Sequence, residues 1–262
     1  MSLILPGVIA ALCYLTATAI QVRNIVAGAD LTQWVKVLGG LAVVFHGVTN
    51  YQGLTGEAGV DLGIYSMLSL MALSIAAIVM FSSLRRPVDN LFIVIFPIAM
   101  ATVLMEISFQ SGYAPSDDIS RGIFSHIVLS IVAYSLLTIG AAQAVLLSLG
   151  DNMLRHHRIG MLRNMPPLET MEQLMFEMLG WGLVFLTLSI ASGFFFLEDI
   201  SGPGLWHHTV ITMAAWIVFS ILMWGRFQLG WRGAVASRWA LAGFLLLVLG
   251  YFGSKVVLEL IL

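Results

Sequence analysis

Long apolar stretches separated by short polar ones dominate the chain, and they predict eight membrane-spanning helices. A helix needs roughly 20 mostly apolar residues to cross a bilayer, and most of these stretches approach or exceed that length. The second is the least secure, because Lys36 lies near its start. We therefore predict an all-α polytopic membrane protein, a bundle of eight transmembrane helices forming a single domain over residues 1–262. The predicted segments are 3–20, 33–49, 62–81, 91–109, 122–149, 174–197, 207–224 and 239–262.

The composition supports a membrane protein and excludes several other classes. Hydrophobic residues make up 59% of the chain and charged residues only 10%, whereas a soluble domain carries about 25% charged residues. No basic run indicates a nucleic-acid partner. The single cysteine, Cys13, excludes an intramolecular disulfide and a CxxCH haem-attachment motif. A Walker A motif and a nucleophile–base pairing are both missing from the sequence, so we do not expect an enzyme.

The loop charges predict how the chain is oriented. Ten of the 12 lysines and arginines fall in alternate loops, and the other two are Arg121 and Lys255. The positive-inside rule then places both termini outside the cytoplasm, in a bacterial inner membrane. The ten are Arg23, Lys36, Arg85, Arg86, Arg155, Arg158, Arg163, Arg226, Arg232 and Arg238.

The fifth segment carries a histidine on a face of small residues. His126 lies one turn from the start of this segment, and small side chains mostly follow it at helical spacing. Such a face packs against neighbouring helices in a membrane, because small side chains let the backbones approach. We therefore expect His126 to point into the bundle, where an ionisable group indicates function. The residues at this spacing are Ser130, Ala133, Leu137, Gly140 and Ala144.

Three other histidines are predicted to lie in the same outer layer of the membrane. His46, His207 and His208 each fall within about 7 Å of an outer helix end, at 1.5 Å rise per residue. Histidines on two helices can hold haem iron from opposite faces. The competing interpretation is structural: such histidines serve only as interfacial hydrogen-bonding groups. Glu106, in the same layer, either snorkels to the interface, bonds a neighbouring helix or relays protons. Candidate residues lining a haem slot are Phe124, Tyr134, Trp206 and Trp216, with Arg121 and Lys255 near the propionates.

Four stretches carry a resemblance to a known family: SHIVLSIVAYSLLTIGAAQAVLLSL from Ser125, PPLETMEQLMFEMLGWGLVFLTLSIASG from Pro166, AAWIVFSILMWGRFQLGWRG from Ala214 and GFLLLVLGYFGSKVV from Gly243. In their order and spacing they resemble cytochrome c assembly proteins of the CcsA and HemX type. The resemblance covers roughly the second half of the chain, and the first half, with VFHGVTN around His46, is similar to the short YpjD-type members. The tryptophan-rich segment of those proteins shrinks here to GFFFLEDISGPGLWHH, without a WxWD core.

The resemblance implies a haem-handling membrane protein that binds one b-type haem in the outer leaflet. His126 matches the haem-related histidine and is the first candidate ligand. His46 is the preferred second ligand, because it also lies inside a helix, and His207 and then His208 are the reserves. The resemblance also implies another membrane protein as a partner. Two alternatives stay open: a haem-free accessory subunit, and a transporter of small solutes or ions.

Overall fold

The computed structural model describes residues 4–56, 59–60, 63–109, 120–156, 165–196 and 205–253. Eight α-helices lie within these ranges. A 3₁₀ turn, Asp89–Leu91, precedes the fourth, and a π-helical turn, Leu249–Gly253, follows the eighth. Two-residue strands, Thr55–Gly56 and Gly59–Val60, pair antiparallel after the second helix. The helices are α1 Ile4–Ala27, α2 Thr32–Leu54, α3 Ile64–Ser83, α4 Phe92–Ser108, α5 Arg121–Arg155, α6 Leu168–Phe196, α7 Leu205–Leu229 and α8 Gly233–Val248.

These helices confirm the prediction of an all-α polytopic membrane protein. Seven helices among the described residues are long and apolar enough to cross a membrane. Helix α2 is not among these seven. Its 23 residues would span about 35 Å, but it carries the polar residues Lys36, His46 and Asn50. The ends of the helices differ from the predicted segments because helices continue past their apolar parts. Thus α5 runs on to Arg155, and α6 begins at Leu168, directly after two prolines.

The chain divides into two compact units. The first contains α1 to α4, and the second contains α5 as far as Asn152 together with α6, α7 and α8. The single domain over residues 1–262 therefore stays a prediction.

In the first unit, α1 packs against α2 and α4, and α3 packs against α4 and α2. Charged residues collect at one end of this unit. Lys36 Nζ lies 2.7 Å from the backbone oxygen of Ser83 and 3.2 Å from a carboxylate oxygen of Asp89. Gln21 also reaches this end, where its Nε2 donates to the backbone oxygen of Asp89 at 2.8 Å. The start of α2, the end of α3 and the start of α4 therefore lie close together. This is expected when successive helices run in alternating directions.

In the second unit, α5 and α6 approach closely along the predicted small-residue face. Ala133, Leu137 and Ala144 are fully buried, which confirms that this face is turned inwards. A Cβ built on Gly182 would lie 2.7 Å from Leu137 Cγ, and one on Gly140 would lie 2.6 Å from a Leu179 methyl carbon. Only glycine permits this separation of the two helices, so the contact fixes their register.

A buried carboxylate, that of Glu172, connects the start of α6 with the turn between α7 and α8. Glu172 on α6 accepts hydrogen bonds from Arg226 Nη1 at 3.1 Å, Arg232 Nε at 2.9 Å and the Gly233 backbone nitrogen at 2.8 Å. Gly230 and Gly233 have positive φ angles of 66° and 55°, a conformation that glycine adopts readily. The turn between α7 and α8 is therefore shaped by its glycines and held by Glu172.

Candidate functional site

His126 has the hydrogen-bond pattern of a metal-binding imidazole. Its Nδ1 lies 3.0 Å from the backbone oxygen of Ser189 and 3.1 Å from Ser192 Oγ, both on α6. A carbonyl oxygen only accepts, so Nδ1 carries the hydrogen and donates it. The lone pair of the neutral ring is then on Nε2, which has no hydrogen-bond partner within the described part of the chain. Metal-binding histidines are commonly oriented in this way through their other nitrogen.

Serine hydroxyls support His126 inside the apolar part of the unit. Ser130 Oγ lies 2.7 Å from Ser189 Oγ and 2.8 Å from the backbone oxygen of His126, one turn earlier in α5. Ser189 and Ser192 are not among the site residues predicted from the sequence. Their spacing of three residues within an apolar helix puts them on one face, which is the pattern that could have identified them.

His208, on α7, is another histidine of this unit. Its Nδ1 lies 3.4 Å from Thr212 Oγ1, a weak contact one turn along α7. Its ring meets that of Tyr251 edge-on, with centroids 5.9 Å apart, and it lies near enough to His126 for a charge on one ring to affect the other. Tyr251 in turn meets Tyr134 edge-on at 5.5 Å. We call these residues the His126 cluster: His126, Ser130, Tyr134, Ser189, Ser192, His208, Thr212 and Tyr251.

The π-helical turn after α8 completes this cluster. It contains Gly250 and Tyr251, and a Cβ built on Gly250 would lie 3.3 Å from Thr212 Oγ1. π-Turns are rare within helices and are frequent at functional sites. Here the widened turn lets the last helix approach α7 closely and presents Tyr251 to both Tyr134 and His208.

His46, the preferred second ligand, lies in the first unit and has a different environment. It is completely buried. Tyr14 Oη lies 3.2 Å from its Nδ1, and Ser69 Oγ lies 2.8 Å from its Nε2. Both ring nitrogens therefore have hydrogen-bond partners inside the unit, so neither could bind a metal without losing one. His126 and His208 lie in the second unit, whereas His46 lies in the first.

The remaining predicted residues fall into three groups. Tyr134 is 5% exposed and belongs to the cluster, whereas Phe124 is 60% exposed, and Arg121, the first residue of α5, is also exposed. Trp216 donates from Nε1 to Thr187 Oγ1 at 2.8 Å. The others cannot be placed: Lys255 and the side chains of Trp206 and His207 lie outside the described residues.

The chemistry of the cluster limits what it can bind. The described residues contain no group of three or more histidine, cysteine or acidic side chains that could hold a metal ion alone. Haem needs only one or two protein ligands, because the porphyrin supplies the others. Fold and site together define a polytopic α-helical membrane protein with a histidine pair among aromatic rings.

The chain belongs to the cytochrome c assembly protein family, whose model matches residues 34–262. It is 29% identical to the inner membrane protein YpjD of Escherichia coli strain K12, over 79% of this chain and 78% of that protein. It is 27% identical to the cytochrome c biogenesis protein CcsA of Chlamydomonas reinhardtii, over 53% of this chain and 39% of that protein. The protein HemX of Brevibacillus brevis is 23% identical, over 51% and 50% of the two chains. No solved structure matches the chain significantly.

Proposed function

We propose that this protein binds and hands on haem, which the second unit holds through His126 and His208. The observation that carries the proposal is the orientation of His126. Its Nδ1 is occupied by the backbone oxygen of Ser189 at 3.0 Å, and its Nε2 is left with a lone pair for iron. The family supports haem as the ligand, since one relative is described as a cytochrome c biogenesis protein.

The surroundings of the two histidines suit a porphyrin. The ring of Tyr251 meets those of His208 and Tyr134, and these rings would provide surfaces of low polarity. His208 replaces His46 as the proposed partner of His126, because it lies in the same unit and only its Nδ1 has a hydrogen-bond partner among the described residues. When bound, haem would supply an iron that can accept and release one electron. Haem is also a cofactor that other proteins require, so it could be cargo.

The haem is proposed to be of the b type. Covalent attachment uses a pair of cysteines, and Cys13 is the single cysteine of the chain. Acid acetone should therefore extract the haem completely. We assign the protein to binding and transfer of haem rather than to catalysis, in the bacterial inner membrane with both termini outside the cytoplasm. Another membrane protein would deliver or receive the haem.

The absorption spectrum of the purified protein tests this proposal. We expect a Soret band and, after reduction, the sharp visible bands of six-coordinate low-spin haem. Replacing His126 or His208 by alanine should convert the spectrum to high spin or abolish binding, because the iron loses one axial ligand. His156→Ala is the matched control, since His156 is exposed at the end of α5 and should leave the spectrum unchanged.

Three results would contradict the proposal in different ways. Protein that stays colourless after incubation with haem would favour the haem-free accessory subunit. An unchanged spectrum in His126→Ala would remove the proposed first ligand. A low-spin spectrum in His208→Ala that is lost in His207→Ala would move the second ligand to the neighbouring residue.

A further inference from the structure

A chain of buried polar side chains runs through the first unit, and the proposed haem site does not use it. Its members come from all four helices of the unit. In a membrane protein such groups are costly to bury unless they are hydrogen-bonded, and they commonly mark proton or ion pathways. The members are Tyr14 on α1, His46 and Asn50 on α2, Ser69 on α3 and Glu106 on α4, none of them more than 8% exposed.

Ser69 is the central link of this chain. Its Oγ lies 2.6 Å from Glu106 Oε2 and 2.8 Å from His46 Nε2. Asn50 Nδ2 donates to both Ser69 Oγ at 3.0 Å and Glu106 Oε2 at 3.1 Å, which fixes their relative positions. The hydroxyl therefore touches an acid on one side and a base on the other, and it can donate to one while it accepts from the other.

We propose that Glu106, Ser69 and His46 form a buried proton-binding site, in which Ser69 passes one proton between the carboxylate and the imidazole. In one state His46 is an imidazolium and donates from Nε2 to Ser69, which donates to the carboxylate of Glu106. In the other state His46 has given its Nε2 proton to Ser69, and Ser69 has given its own to Glu106. Two bonds to hydrogen break and two form, and no other reactant is needed.

The shape of the unit favours a proton as the ligand. Glu106 lies two residues before the end of α4, so it is the member closest to that end of the membrane. A Cβ built on Gly53 would lie 2.8 Å from Glu106 Oε1, so the glycine leaves space for the carboxylate. At the inner end of the chain, Tyr14 packs against Phe96, with ring centroids 5.3 Å apart. The aromatic contact closes the path, so the site stores a proton rather than conducting it across the membrane.

Few other titratable groups of the described part of the unit approach the site. Tyr14 contacts His46 directly, Tyr51 on α2 is 69% exposed, and Tyr65 on α3 stacks on Phe109. The charged groups lie towards the opposite ends of these helices, where Lys36 meets Asp89 at 3.2 Å. Those of α1 to α4 and of the turns between them are Arg23, Asp30, Lys36, Arg85, Arg86 and Asp89. Cys13, the residue before Tyr14, is partly exposed.

The test is a pH titration of the full-length protein in lipid vesicles, followed by two measurements. Infrared difference spectra should show a carboxylic-acid C=O band that appears on acidification and is lost in Glu106→Gln. Glu169→Gln, which removes a carboxylate that is 85% exposed, is the matched control and should keep the band. Nitrogen NMR of labelled histidines should show the His46 resonance, identified by its loss in His46→Gln, changing at the pH midpoint of the band.

Ser69→Ala is the decisive variant, because it keeps both titrating groups and removes only the link. We expect the midpoint of the Glu106 band to shift and the His46 resonance to stop following it. The proposal is overturned if Glu106→Gln keeps the band, or if the His46 resonance follows the band equally well in Ser69→Ala. Should Glu106→Gln fail to fold, the Ser69→Ala comparison alone decides.

Discussion

Replacing Gly182 by alanine should weaken the contact between α5 and α6 by a predictable amount. The new methyl carbon would lie 2.7 Å from Leu137 Cγ, 2.8 Å from one Leu137 methyl carbon and 3.2 Å from the Leu137 backbone nitrogen. A backbone atom cannot rotate away, so α5 itself must move. Overpacking of this kind costs about 1–3 kcal/mol. The free energy of unfolding should fall by this amount relative to a variant without the clash.

Gly180→Ala supplies that reference two residues away on the same helix. Its new methyl carbon would meet only Met223 Cε at 3.3 Å, the flexible end of a side chain. Both substitutions gain about 1 kcal/mol of helix propensity in water, and this gain cancels in the difference between them. Reversible unfolding in mixed micelles measures that difference. Equal stabilities within about 0.5 kcal/mol would refute the close approach of α5 and α6.

Three further predictions test other parts of the structure. Glu172→Gln should lower the free energy of unfolding by about 1.5–3 kcal/mol, because the carboxylate accepts hydrogen bonds from charged donors, whereas Glu169→Gln, at a highly exposed position, should change it by less than about 0.5 kcal/mol. Reporter fusions after Arg86 should be cytoplasmic and those near Asp117 external; the reverse result would mean that the charge argument assigned the wrong side. His46→Ala should keep the low-spin haem spectrum of the parent protein, and a high-spin spectrum would restore His46 as a ligand.

The sequence predicted those features that depend on local pattern. The all-α class and the buried face of α5 follow from apolar spacing along a single segment. The predicted number of eight membrane-spanning helices is close to the seven described helices that are long and apolar enough to cross a membrane. The membership in the cytochrome c assembly family was predicted from motif order and is confirmed by the family match over residues 34–262. These properties need no knowledge of which helices are neighbours.

The partners of the histidines could not be predicted in this way. Ser189 lies 63 residues from His126, and Ser69 lies 23 residues from His46. The sequence pattern indicates only how far along its helix each histidine lies. His46 was the preferred second ligand because, like His126, it lies inside a helix. Which ring nitrogen is free depends on contacts between helices, and those contacts exist only in the folded unit.

His126 and His46 differ in what their ring nitrogens contact, and this difference separates their proposed roles. A histidine with Nδ1 on a carbonyl oxygen and Nε2 without a partner is held in one tautomer, as iron requires. A histidine between a phenol and a hydroxyl can change tautomer or charge by small movements of hydrogen, because its neighbours both donate and accept. Binding of iron to His46 would break one of these hydrogen bonds. The described contacts of His126 include no acidic side chain that could give it a proton. We therefore propose His126 as the ligand and His46 as the proton-binding residue.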